Sequence, residues 1–164
     1  MTNKNQDEVC CQKLDTSLWE NKIHEWNNKL FVKDSIPLLF HMPMPWMVGK
    51  LITRMWEKIE TAGAGPEMKD FVMLAHDPSP WKGEYYMSVT KDVPGVENVK
   101  LSGTYFSKVF DGPYHSVPKY IKQMESDLAI QGKKSKKYYF YYSTCPKCAK
   151  KFGHNYIVGF AQVG

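Results

Sequence analysis

Glu84 opens the run Glu84-Tyr85-Tyr86-Met87-Ser88-Val89, whose aromatic and branched content reads as a strand. Alternation places Glu84, Tyr86 and Ser88 on one face and Tyr85, Met87 and Val89 on the other. With the first set turned into a cleft, the carboxylate would be ringed by aromatic faces, a setting for a cationic or polarised ligand. Partial burial would raise the Glu84 pKa and suit it to act as a general acid that opens an electrophilic ring. The plainer reading is a solvent-facing carboxylate on an edge strand, and the sequence weighs the two equally. Tyr105, Tyr142 and Tyr156 could line the same cavity, with Tyr142 placing a water; each alone fits ordinary packing as well.

A second constellation is Cys145-Pro146-Lys147-Cys148 with His154 six positions on. Two thiolates held by a tight turn make half of a tetrahedral zinc site, and His154 could be a third ligand. A structural site needs four ligands, and no second such pair is present; Cys10-Cys11 could complete it only if the start of the chain folds back. An inert turn is the leading reading, so no cofactor is expected, with zinc at Cys145, Cys148 and His154 as the alternative. Redox chemistry would require the first cysteine to open a long helix, and Gly153 leaves room for about one turn. His41, His76 and His115 read as local hydrogen-bonding residues. The sequence holds no Ser-His-Asp ordering, phosphate-cradling glycine loop or dinucleotide fingerprint.

The elements that must hold these residues repeat at an offset of about 70 positions. The first unit takes a strand ending at His41, a helix Met47–Glu60, and strands Phe71–Ala75 and Glu84–Thr90. The second takes strand Val99–Phe110, helix Val117–Ile130, and strands Tyr138–Tyr142 and Asn155–Val163. In the first helix Val48, Leu51, Ile52, Met55, Trp56 and Ile59 form one apolar face. In the second, Val117, Tyr120, Ile121, Met124 and Leu128 do so, with Ser116 as N-cap and Pro118 in the first turn. The expected fold is α+β: duplicated β-α-β-β modules forming a largely antiparallel sheet, two helices on one face and a central ligand cleft. The domain would span residues 32–164, as modules of about 32–94 and 95–164. Residues 1–14 are expected to be disordered, and residues 15–31 form an arm. In that arm Trp19, Ile23, Trp26 and Leu30 fit a helical stripe, broken by Asn27-Asn28, or an extended segment whose tryptophans dock on the body.

A chain of 164 residues with 43% apolar and 14% aromatic content can bury a proper interior. No run approaches the roughly 20 apolar residues of a membrane span, and the polar start lacks a secretory stretch, so a cytoplasmic protein with no membrane partner is expected. The net charge of +5 sits largely in loop lysines, at 133–137 and 147–151, and solvated loops explain it better than nucleic acid. No segment before residue 15 reads as a DNA-binding element, so direct transcriptional regulation is not expected.

Gly103-Thr104-Tyr105, leading through Lys108-Val109-Phe110-Asp111-Gly112-Pro113-Tyr114 into a helix, resembles the GyrI-like domain. His76-Asp77-Pro78 followed by Glu84-Tyr85-Tyr86 resembles the turn and third strand of that family. The resemblance covers roughly residues 30 to 163, in line with the duplicated pattern. It implies two packed modules with an aromatic-lined cleft, serving in some members as a drug sensor and in others as a toxin binder or a hydrolase of reactive small molecules. Glu84 matches the acid of the first module, whereas the second holds His154-Asn155 where a paired acid would stand. The expectation is a small-molecule-binding protein that holds an aromatic or amphipathic ligand through Trp46, Trp56, Glu84, Tyr86, Tyr105, His154 and Tyr156. The enzymatic alternative is hydrolysis of electrophilic compounds by Glu84 and Tyr142, and a third reading is masking of a partner protein. The sequence leaves the oligomeric state undetermined.

Overall fold

The computed structural model describes residues 14–135, 137–143 and 146–164. Six strands and three helices follow in the order β1 (Lys22–Pro37), α1 (Pro45–Thr61), β2 (Met73–Ser79), β3 (Lys82–Ser88), β4 (Glu97–Asp111), α2 (Val117–Ile130), β5 (Lys137–Tyr142), α3 (Pro146–Phe152) and β6 (Tyr156–Gln162). All pairings are antiparallel, and the sheet closes into a barrel in the order β1-β3-β2-β5-β6-β4.

Closure is the main departure from the expected open sheet with a groove beside it. β1 and β4 are long, at 16 and 15 residues, and lie antiparallel along most of their length. Strands twist, and long paired strands coil as they do so. The coil carries β2 and β5 around until they meet at Ala75 and Phe140. What would have been a groove is now an interior. All six strands contribute to one buried cluster there: Phe31, Leu74, Tyr86, Tyr105, Tyr139, Val158 and Phe160, with Val72 and Trp19.

The helices cover the outside. α1 starts with proline in its first turn, where the missing N–H costs nothing. Its Leu51, Met55 and Ile59, spaced by four, are fully buried against Val32, Ile36, Tyr85, Met87 and Val89. α2 buries Met124 and Leu128 over Phe106 and Ala161. Its span coincides with the sequence reading, although Ser116 makes no side-chain capping bond. α3 lies in the connection read as a plain hairpin loop.

The segment read as an arm also differs. The helical stripe gives way to the extended reading: from Lys22 onward the chain is β1, paired with Ser107 through Gly103 of β4. Asn27-Asn28 form a bulge opposite Ser102, with Asn28 at φ 52°. Trp19 docks on the barrel contents, edge-on to Phe160 at 5.6 Å. Across from the bulge, Gly103 has φ 133° and a Cβ there would lie 2.5 Å from the Gly164 carbonyl oxygen. Both facts require glycine at that position.

Candidate functional site

β3 starts directly after the turn at Pro80-Trp81; Lys82, Glu84 and Tyr86 share one face, and Glu84 is the first buried residue on it. Register places Glu84 opposite Ser35 of β1 and His76 of β2, and Tyr86 opposite Lys33 and Leu74. These inward positions form one end of the barrel interior. The Glu84 carboxylate is buried, at 7% exposure, and pairs directly with the Lys33 ammonium. The same ammonium lies 5.8 Å from the Tyr86 ring centre, and the Tyr86 hydroxyl reaches Glu84 at 3.5 Å, a long contact.

Aromatic walls surround the pair. Tyr139 meets Tyr86 edge-on at 5.8 Å and Tyr105 at 6.2 Å, while Trp26 packs on Tyr105 at 4.4 Å. Lys137 extends over the Tyr139 ring at 5.0 Å, and His76 lies against the same ring at 5.4 Å. Beside the pair opens a cavity of about 290 Å³ lined by Lys33, Asp34, Ser35, Lys58, Lys82 and Glu97, among others.

The electrostatics reverse the sequence expectation for Glu84. Burial does push its carboxyl up, but the hydrogen bond and charge of Lys33, joined by Lys82 and Lys137, outweigh burial and hold it below the ordinary carboxylate range. Glu84 is therefore an ionised acceptor and not a poised proton donor. The Lys33 ammonium is raised, chiefly by its hydrogen bond to Glu84. Burial and then Lys137 hold His76 down, so it is neutral near pH 7. Burial and then Tyr139 push the Tyr105 phenol up to about 12, and burial and then Glu84 push Tyr86 up as well. These phenols keep their protons.

Other expected residues lie elsewhere. Tyr142 points to the outer face of β5, meeting Tyr114 edge-on at 5.6 Å. It is one position out of phase with the inward Tyr139 and Tyr141, so it does not meet Glu84. Trp56 packs against Phe71 under α1 at 5.6 Å, and Trp46 is 62% exposed at the start of α1. Tyr156 stacks on His154 at 5.0 Å at the far end of β6, where His154 bonds Asp111 at 2.8 Å. Tyr86 and Tyr105 are the two expected residues that share the neighbourhood of Glu84.

Cys145 lies outside the described residues. Cys148 is buried on α3, and among the described residues no three His, Cys, Asp or Glu side chains gather as a metal site. Lys33, Lys137 and Tyr139 are the site residues that sequence reasoning missed. The available signal was strand alternation: Lys137 and Tyr139 share a face, and Lys33 sits two positions from the apolar Phe31.

A model of the family described as bacterial hydrolase matches residues 1–163. The chain belongs to that family. No curated protein sequence matches it. The fold of this family member is similar to that of the EcmrR C-terminal domain, with a TM-score of 0.65 and 15% identity, covering 90% of this chain and 98% of that one. It is also similar to an uncharacterized conserved protein from Listeria innocua, with a TM-score of 0.62, 10% identity, and 88% and 92% of the two chains covered. A hydrolase from Listeria innocua follows, with a TM-score of 0.60, 10% identity, and coverage of 87% and 91%. At these identities the likeness establishes a shared fold. No helix among the described residues is long and apolar enough to cross a membrane.

Proposed function

We propose that the chain is a small-molecule-binding protein that takes an aromatic or amphipathic ligand at the Glu84 end of its barrel. The observation that carries this reading is a buried, ionised carboxylate set between Tyr86 and Tyr139 next to a cavity of about 290 Å³. The cavity itself is lined by charged and polar side chains with Gly95 and Val96, and the Tyr86 and Tyr139 rings lie behind the Lys33–Glu84 pair; ligand sites commonly join apolar surface to a few such polar anchors. The cavity is at the lower end of the size range for such sites, and the interior behind it is filled by rings. A ligand larger than one or two rings must displace Lys33 or turn Tyr86 and Tyr139 aside. The resemblance of Gly103–Tyr114 to GyrI-like domains, with its doubled strand–helix–strand–strand order, agrees with a ligand site between two modules.

The test is a thermal-shift screen with one- and two-ring amphipathic compounds. At a hundredfold excess over Kd a ligand stabilises by about 2.7 kcal/mol, which raises Tm by roughly 5 to 10 °C for a chain of this size. The shift should shrink in Tyr139→Ala. A panel in which no compound moves Tm refutes the reading.

Hydrolysis is the second reading, favoured by the family match over residues 1–163 and by the ionised state of Glu84 beside phenol donors. Glu84 would accept a proton from water as the water oxygen attacks the ester carbonyl carbon, with the Tyr86 hydroxyl donating to the carbonyl oxygen on which charge develops. The carbonyl then re-forms as the bond to the aryl oxygen breaks, and the leaving aryloxide takes the proton from Glu84, which returns to its carboxylate. Tyr142, facing outward, has no part in that step. Turnover of an activated aryl ester that survives Glu84→Gln would remove Glu84 from the reaction.

A further inference from the structure

Three lysine ammonium groups bear on Glu84, the one buried carboxylate among the described residues. Lys33 pairs with Glu84 directly. Lys137 stands over Tyr139 at 5.0 Å, and Lys82 and Lys137 both act on the Glu84 charge. The acids that face this group are Glu84, Glu97, which acts on Lys33 from β4, and Asp34, which lines the cavity and is paired with Arg54 at 2.8 Å. Asp77, the next acid along β2, is turned to His41 at 3.1 Å. His76 is neutral. Lys33, Lys58, Lys82 and Lys137 against Glu84, Glu97 and Asp34 leave a net positive charge in front of the Tyr86 and Tyr139 rings.

The position of the Lys33 ammonium sharpens the point. An organic cation recognised here would need a carboxylate on one side and a ring face on the other. Lys33 supplies that cation from within the chain, in contact with Glu84 and 5.8 Å from the Tyr86 ring centre. A competing cation must break a buried ion pair and leave an ammonium without its partner, which is costly. An anion faces no such penalty: it meets Lys137 and Lys82 at the rim and gains from Lys33 itself.

We infer that the site selects its ligand by charge, taking an aromatic anion and turning away an organic cation, because Lys33 already fills the place such a cation would occupy between Glu84 and the Tyr86 ring. Lys33 is then the specificity-determining residue of the site, and Lys137 is a counter-charge for the ligand. The inference rests on the reading of this barrel end as a ligand site.

The experiment uses two probes with the same ring system and opposite charge, naphthalene-2-sulfonate and N,N,N-trimethyl-2-naphthylammonium, titrated calorimetrically into the full chain at mildly alkaline pH. Wild type should bind the sulfonate at least about tenfold more tightly than the ammonium, the factor that about 1.4 kcal/mol provides. Lys33→Met frees the Glu84 carboxylate and should reverse the order. Lys33→Arg and Glu84→Gln should both keep the sulfonate preference, and Lys137→Met should weaken the sulfonate alone. Should Lys33→Met fail to fold, Glu84→Gln decides: its affinity for the sulfonate must equal or exceed that of wild type. A wild type that prefers the ammonium, or a probe ratio that Lys33→Met leaves unchanged, overturns the charge selection while leaving the ligand site in place. Absence of binding by either probe to wild type and to every variant overturns both.

Discussion

Replacing Lys33 with methionine keeps most of the side-chain volume and removes one charge, leaving the Glu84 carboxylate buried without its partner. Breaking a fully buried pair in this way costs about 3 to 5 kcal/mol. The Lys33 side chain retains 23% exposure against 9% for Glu84, so water compensates in part and the expected loss is about 2 to 3 kcal/mol. For a chain of this length that is a fall in Tm of roughly 5 to 10 °C. The double change Lys33→Met with Glu84→Gln removes both charges and should recover most of the loss, because neither group is left stranded. The pH dependence carries the sign. In wild type the Glu84 carboxyl is held below its ordinary value, so the pair contributes fully above the unfolded carboxyl pKa of about 4.3, and its contribution is lost as pH falls through the folded value. In Lys33→Met burial, the largest single influence, is opposed only by the charges of Lys82 and Lys137 and raises that pKa, so the variant should close much of its gap to wild type when the pH is lowered to about 5. Calorimetric unfolding of wild type, Lys33→Met, Glu84→Gln and the double variant at neutral and mildly acid pH measures all of this. A single variant within about 1 °C of wild type at neutral pH, or a double variant no better than the worse single, would refute the coupling.

Two further outcomes follow from the fold. Gly103→Ala forces a Cβ against the Gly164 carbonyl oxygen in a backbone conformation of φ 133°, and should cost about 2 kcal/mol or more, read as a lower denaturant midpoint. Tyr85 and Tyr105 have phenols pushed up to about 12, the first by burial and then Asp77, the second by burial and then Tyr139. A raised phenol favours the folded state below the unfolded pKa of about 10 and loses that advantage as pH climbs through the folded value. Near pH 11 the native protein should therefore show less phenolate absorbance than the urea-unfolded chain, and equal absorbance would contradict the burial of these rings.

Much of the scaffold was legible because its helices are strongly patterned. Leu51, Met55 and Ile59 fall at a four-residue spacing and are all fully buried, and α2 runs over Val117–Ile130 as its apolar positions and the Pro118 near its start predict. β1 was not, and the cause is local. Trp26 and Phe31 are five residues apart, so simple alternation would send them to opposite faces, yet both line the interior and meet at 5.7 Å. The bulge at Asn27-Asn28 adds one residue and resets the phase. Counted from Trp26, alternation therefore misses Lys33; counted from Phe31, beyond the bulge, it finds it. Glu84, Tyr86 and Tyr105 were found because β3 and β4 keep an unbroken phase there. Tyr142 was misplaced by one step within five consecutive aromatic residues, where composition says nothing of which face each ring takes. Closure of the sheet depends on coil accumulated over two long strands, which no short motif encodes.

The joint between β2 and β5 has a consequence for how anything reaches a core already full of rings. Among the described residues these strands register at Ala75 with Phe140 alone, whereas every other neighbour around the barrel is laced over several consecutive positions. Spreading the wall there forfeits fewer backbone bonds than at any other joint, and Tyr139, beside Phe140, would swing outward with the margin that moves. The weakest stretch of the circumference thus borders the charged end, and a guest could be admitted by a hinge of one strand edge while the ladder binding β1 to β4 stays whole.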